Sequence, residues 1–284
     1  MISARVQATP WLAIRTFARI AVILAVALIA ACATVPDDPE ERAAFEETND
    51  PLEPMNRYFF EVHRGLDELI FKPFATVYRG AVPNFIQDGI RNFLDNLASP
   101  VIFINQLLQG EVDAAGDTFG RFLANTFIGL GGLFDVTDIP KHDEDFGQTL
   151  AVWGASEGPY LFIPVLGPRP PRNLAGLAVD SFVLDPVYWW AESDKGKSWV
   201  PPVRFILDGI DFRARNIETF DEIERSSIDY YAAVRSLYRQ QRAEKIRNGR
   251  PAEGDDEDDP WAKFDEDDDE QESEDEEPAK KPSE

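Results

Sequence analysis

The apolar residues of this chain recur mostly at steps of three and four, a spacing that fits helices and leaves little room for a sheet. In "MNRYFFEVHRGLDELIF", residues 55–71, Met55, Tyr58, Phe59, Val62, Leu66, Leu69 and Ile70 form one stripe, with Arg57, Glu61, Arg64, Asp67 and Glu68 between them. Phe85, Ile86, Ile90, Phe93, Leu94 and Leu97 repeat the pattern after Pro83, and Pro100 is expected to interrupt that helix. "VIFINQLL" is apolar on nearly every side, and "EVDAAGDTFGRFLANTF" returns to a stripe through Val112, Ala115, Phe119, Phe122, Leu123 and Thr126. Residues 203–247 would make one helix of about 65 Å at 1.5 Å per residue, so a break is expected near Ser226 and Ser227. No alternating segment supports a strand of useful length and no repeat is present, which makes the expected fold class all-α. Most of the phenylalanine-rich stripes are expected to pack into a core. Amphipathic helices of a lipid-anchored chain have a second option, lying among acyl chains at a membrane interface.

The two ends read as something other than folded core. Residues 1–31 hold Arg5, Arg15 and Arg19, no acid, and the run "IAVILAVALIAA". About a dozen apolar residues are too few to span a bilayer, which needs about twenty, but they suit the h-region of a secretory signal. The run closes on "IAAC", and small residues before a lone cysteine resemble a bacterial lipoprotein signal, with Cys32 as the acylated first residue of the mature chain. As the one cysteine, Cys32 has no intrachain disulfide partner. Ala33 after it favours the outer membrane, by analogy with lipoprotein sorting. Residues 32–54 read as a Pro- and acid-rich tether to a body at 55–250. Residues 251–284 carry 18 acids against three lysines and are expected to be a disordered acidic tail. The whole chain has a net charge of −24, and residues 32–250 keep −12 of it. No face basic enough to neutralise a row of phosphates is evident, which argues against nucleic acid as a partner.

Catalytic constellations are weak. "GASEG" places Ser156 in a G-x-S-x-G pattern, but Pro159 and an apolar loop follow where a helix is needed, and His63 and His142 both precede the serine. "DVTDIPKHDEDFGQ" gathers Asp135, Asp138, His142, Asp143, Glu144 and Asp145 at spacings that match neither a calcium loop nor a zinc helix. It reads better as an acidic turn capping the next helix. "GLGG" at 129–132 lacks the third glycine of a dinucleotide loop. No enzyme activity, cofactor or metal is called for.

Five blocks in order, "NDPLEPMNR" (49–57), "RFLANTFIGLGGLFDV" (121–136), "DFGQTLAVWG" (145–154), "GPYLFIPVLGP" (158–168) and "DPVYWW" (185–190), resemble the MlaA (VacJ) family of outer-membrane lipoproteins. After "VLGP" the chain departs from that pattern with "RPPRN", and the acidic tail is an addition. The resemblance implies a ring-shaped helical body in the inner leaflet of the outer membrane, with an amphipathic channel. It also implies a function: removal of phospholipid misplaced in the outer leaflet and delivery to a soluble periplasmic carrier of the MlaC type, beside a trimeric porin. The lining expected from it is Gly129, Leu130, Gly131, Gly132, Phe134, Trp153, Gly158, Pro159, Tyr160, Phe162, Pro164, Gly167 and Pro168. Asn125, with Arg121, Asp135 and Gln148, could line a headgroup track or serve as caps and surface. The alternatives are that these loops plug the helical core, and that the chain is a scaffolding lipoprotein that transfers nothing.

Overall fold

The computed structural model describes residues 49–248. The signal, Cys32, most of the tether and the acidic tail lie outside the described residues. The chain divides into two compact units, residues 1–238 and 239–284; of the second, residues 239–247 are the end of the last helix. The described part is mostly helical: α1 Glu53–Leu66, α2 Lys72–Ala81, α3 Asn84–Gln109, α4 Val112–Phe127, α5 Phe146–Val152, α6 Pro171–Val179, α7 Pro186–Glu192, α8 Val200–Arg215, α9 Ile217–Ser226 and α10 Tyr230–Arg247. One two-residue hairpin, β1 Phe162–Ile163 against β2 Gly167–Pro168, pairs antiparallel.

Local chemistry accounts for most boundaries. Pro54 and Glu53 open α1, and His63 and Arg64 sit in its last turn, where the helix dipole favours them. A wide π turn, Asp67–Phe71, precedes α2, with the Lys72 N–H bonded back to the Asp67 carbonyl. The widening lies just before Pro73, whose ring would otherwise press on the carbonyl four residues back. α3 ends at Gly110, which takes φ 84°, the left-handed stop that glycine adopts without a Cβ penalty. Asp145 caps α5 by accepting from the Gln148 N–H at 2.9 Å, as the acidic turn suggested. The long C-terminal stretch breaks at Ser227 as expected and also at Asn216.

Two expectations are corrected here. Pro100 does not interrupt its helix: α3 runs unbroken from Asn84 to Gln109, with Ser99 Oγ donating to the Asp95 carbonyl at 3.0 Å just ahead of the proline. The loss of one backbone bond is tolerated because both flanks of the helix are held by packing on α4 and α5. The tether, in turn, ends earlier than residue 54, since Asp50 and Leu52 are buried and α1 starts at Glu53.

The interior is unusual. An aromatic cluster joins Phe60, Tyr160, Phe162 and Tyr231, with Phe60 edge-on to Phe162 at 5.3 Å and to Tyr231 at 5.5 Å, and a small second cluster holds Ala75, Ala214 and Ile217. Elsewhere the buried side chains are mostly polar. The largest fully covered ones include Gln106, Gln148, Asn56, Asn105, Thr149 and Asp211. Asn105 donates to Asp180 at 2.9 Å and accepts from Thr149 at 2.8 Å, while Asp180 also accepts the Phe146 N–H at 3.0 Å, tying α3, α5 and the end of α6 together. Gly176 lies so close to Gly147 that a Cβ would meet its nitrogen at 2.3 Å. Large apolar side chains meanwhile face outward along α2, α3, α4 and α8: Phe74, Val77, Phe85, Phe119, Phe127, Phe205 and Ile206. Soluble proteins rarely expose so much contiguous apolar surface while filling the inside with amides.

Candidate functional site

The two faces of α3 differ sharply. Arg91, Asn92, Asp95, Asn96, Ser99 and Ile102 follow each other at helical spacing on one of them. Thr118, Arg121 and Asn125 do the same on α4. These stripes, with Asp135, Lys141 and His142 from the segment after α4, enclose a cavity of about 200 Å³. The apolar stripes read from the sequence, Phe85 and Phe93 on α3 and Phe119 and Leu123 on α4, stay largely exposed. The expectation that most such stripes form a core is overturned for part of each stripe. Phe85, Phe93, Phe119 and Leu123 face outward, whereas Leu94 and Ala115 of the same stripes are buried, and polar residues of both helices line the cavity.

One wall of the cavity is knotted. Arg121 donates to Asp135 at 2.5 Å, to Thr137 at 3.2 Å and to the Ile139 carbonyl. Asn125 donates to Asp135 at 3.1 Å and accepts the Val136 N–H at 3.0 Å. Burial alone would raise the Asp135 carboxyl, but the Arg121 and Asn125 hydrogen bonds outweigh it and hold the group below the ordinary carboxylate range. Lys141 reaches Asp95 at 2.5 Å and the His142 ring faces Asp117 at 3.1 Å, so the turn is tied to α3 and α4 while Asp138 and Asp143 stay exposed.

The glycine loop after α4 forms the rim. Leu130, Gly131 and Gly132 take φ of 53°, 75° and 94° in succession. A Cβ on Gly129 would lie 2.2 Å from the Phe134 carbonyl, and one on Gly132 would lie 2.5 Å from the Asn96 Cβ, so glycine is required where the loop presses on α3. Pinned there, the loop turns Phe127 (79% exposed), Ile128, Leu130 (68%), Leu133 and Phe134 outward. Leu130 holds a left-handed conformation that costs a leucine roughly 1–2 kcal/mol. Trp153 is also exposed, its indole N–H donating to the Leu108 carbonyl at 3.1 Å.

The second loop behaves differently. Tyr160 and Phe162 are 2% and 3% exposed in the aromatic cluster, so these two rings are packed as core, the alternative reading of this loop, rather than open as a lining. Asn56 holds the backbone between them, donating to the Tyr160 carbonyl at 2.9 Å and to Asp50 at 2.8 Å and accepting the Phe162 N–H at 3.0 Å. Asn49 donates to the Gly158 carbonyl at 2.7 Å, and Asp50 takes Arg235 at 2.6 Å and the Tyr231 hydroxyl. Thus "NDPLEPMN" is a latch for "GPYLFIP". Gly158, Pro159, Pro164, Gly167 and Pro168 are half-buried around this latch and its hairpin, whose exposed tip is Val165, at φ 73°. Gln148 is a buried residue of α5, donating to the Asp143 carbonyl at 3.0 Å, and does not line the cavity. Ser156 is exposed in the loop between α5 and β1, with no strand feeding it and no helix leaving it.

Sequence reasoning missed Arg91, Asp95, Ser99, Thr118 and Lys141. The helical spacing of the first four was visible, but a polar stripe on an amphipathic helix ordinarily marks the solvated face, and Lys141 lies in the irregular segment after α4 with no such spacing.

A family model described as MlaA lipoprotein matches residues 48–245. The intermembrane phospholipid transport system lipoprotein MlaA of Haemophilus influenzae is 32% identical over 213 residues, covering 73% of this chain and 83% of that protein. Its namesake in Escherichia coli (strain K12) is 34% identical over 237 residues, covering 81% and 88%. A solved structure described as "Structural basis for maintenance of bacterial outer membrane lipid asymmetry" aligns with a TM-score of 0.62 at 30% identity, covering 69% of this chain and 98% of that one. The matched span takes in the latch, the glycine rim and both helices of the cavity, and with them all but the last three described residues: this chain belongs to the MlaA lipoprotein family.

Proposed function

We propose that this protein is an outer-membrane lipoprotein, anchored through Cys32 on the periplasmic side, that takes mislocalised phospholipid from the outer leaflet and passes it to a soluble periplasmic carrier. Lipid asymmetry of the membrane is thereby maintained. The observation that carries the reading is the inverted burial: an apolar exterior beside a charged, hydrogen-bonded cavity. A phospholipid leaving a bilayer loses about 0.8 kcal/mol for each methylene exposed to water, so its path must offer apolar surface to the tails and polar groups to the head. The glycine rim, with Leu130 and Phe134 outward, would serve the tails, and the cavity the head. The names of the Haemophilus and Escherichia relatives support phospholipid as cargo. A trimeric porin and a carrier of the MlaC type are the proposed partners, and the resemblance in sequence is their support. No bond is made or broken in this process.

The test is reconstitution. Full-length protein in vesicles containing labelled phospholipid, with a soluble lipid-binding acceptor outside, is expected to deliver label faster than protein-free vesicles. Equal rates would overturn the reading in favour of a scaffold.

A further inference from the structure

We infer that α9 is an ionic clasp that masks two cations of α2 from an anionic lipid surface; this rests on the membrane location proposed above. The register of charges comes first. Arg57 and Arg64 on α1 and Lys72 and Arg79 on α2 stand seven, eight and seven residues apart. Seven residues return a helix to nearly the same side, and the extra one falls in the wide π turn Asp67–Phe71, so the four cations share one edge. The acids opposite run in reverse order, from α9 and the link that follows it. Glu218 lies 2.6 Å from Arg79, Asp221 2.7 Å from Lys72, Glu224 3.7 Å from Arg64 and Asp229 2.6 Å from Arg57.

These pairs are not equivalent. Arg57 is also held by Glu53 at 2.7 Å and Arg64 by Glu61 at 3.0 Å, each within α1. Among the described residues, Lys72 and Arg79 draw their carboxylates from α9 alone. Their hydrogen bonds keep Asp221 and Glu218 below the ordinary carboxylate range, so both acids are charged at neutral pH. Little else fastens α9. Of its ten residues only Ile217 is buried, against Ala75 and Ala214, while Phe220 meets the Phe212 ring at 6.0 Å and the Arg213 guanidinium at 5.2 Å. Breaks at Asn216 and Ser227 bound the helix. Exposed ion pairs each contribute at most a factor of about five and are screened by salt, so α9 is placed to open as a unit while the rest stays folded.

Beneath the clasp, α2 has the make-up of a helix that lies in a membrane interface. By helical spacing Phe74 and Val77 stand opposite Lys72 and Arg79, and both are exposed. Such a helix sinks its apolar side among acyl chains and holds its cations at the level of the heads. Each cation beside an anionic lipid surface strengthens binding by about a factor of five. Closed over α2, α9 supplies the counter-charge and cancels both contributions.

The test offers full-length protein two vesicle populations at once, phosphatidylcholine alone and phosphatidylcholine mixed with phosphatidylglycerol, and reads its division between them by flotation. Relative to wild type, Glu218→Gln with Asp221→Asn is expected to shift that division towards the anionic vesicles about tenfold. Adding Lys72→Gln and Arg79→Gln to that variant is expected to remove the shift. Asp221→Asn alone is expected to give about threefold, and Glu222→Gln, an exposed acid of the same helix outside the ladder, under about twofold. No shift in the double variant, or equal shifts in Asp221→Asn and Glu222→Gln, would overturn the clasp. Hydrogen exchange on wild type needs no variant: molar salt is expected to lower the protection of α9 amides about tenfold and leave those of α3 unchanged. Amides of α9 as indifferent to salt as those of α3 would also overturn it. Wild type that floats with neither population would overturn the membrane location, and this inference with it.

Discussion

Replacing Asn56 with leucine removes the centre of the latch while keeping the branched shape and the number of side-chain heavy atoms. The side chain is fully buried and serves three groups: the Tyr160 carbonyl, the Phe162 N–H and one oxygen of Asp50. Leucine leaves all three in place without water to replace the amide. An unsatisfied buried group costs about 1–3 kcal/mol. Asp50 keeps Arg235 and the Tyr231 hydroxyl, so its share is the smallest. A loss of about 4 kcal/mol is therefore expected, which for a body of this length lowers the melting temperature by roughly 8–16 °C. Asn56→Asp is expected to be at least as damaging, because it loses the donor and sets a second carboxylate beside Asp50. Thermal unfolding in detergent, followed by near-ultraviolet circular dichroism of the aromatic cluster, reads the loss. Exchange of the Phe162 amide reads its location, since that proton should lose protection before those of α3. A shift under about 2 °C with the Phe162 amide still protected would refute the claim that Asn56 holds the loop.

Three further outcomes follow from the geometry. The Val165 N–H donates to His63 Nδ1 at 3.1 Å, and burial lowers the His63 pKa, Asp67 opposing it and Arg213 adding to it. The folded value lies below the unfolded one, so this stabilisation is fully present above about pH 6.5 and is lost as pH falls from there through the folded value; the Val165 amide should lose protection, measured against its intrinsic exchange rate at each pH, on acidification, and should show no such pH dependence in His63→Phe. Gly132→Ala is expected to cost more than about 2 kcal/mol, because the methyl meets Asn96 at a φ of 94°, whereas Gly131→Ala, in open space, should cost only about 1–2 kcal/mol by thermal unfolding. Leu130→Asp should leave unfolding in detergent within about 0.5 kcal/mol and weaken vesicle association roughly tenfold in a flotation assay.

The helices were legible in the sequence because a period of 3.6 survives in any solvent. The stripes of α3 and α4 sit where the spacing of Phe85 to Leu97 and Val112 to Thr126 put them. Their sense was not legible. Periodicity identifies two unlike faces but not which of them meets the outside, and here Phe93 and Phe119 point outward while Asn96 and Thr118 are buried. The glycine loop was singled out through the family resemblance; on composition alone, three glycines in four residues mark a special backbone without saying what it is for. The latch was not, because Asn56 and the Phe162 N–H lie more than a hundred residues apart and an asparagine in a helix carries no mark of its distant partner.

Few large apolar side chains are withdrawn from water when this chain folds, because so many remain on its outside. Ordinary domains gain about 12–15 cal/mol/K of heat capacity per residue on unfolding, most of it from newly wetted hydrocarbon. In this protein that increment is expected to be small, its stability curve correspondingly flat in temperature, and its denaturant slope shallow for its length. The amphiphile around it, more than its own collapse, sets how tightly it is held folded.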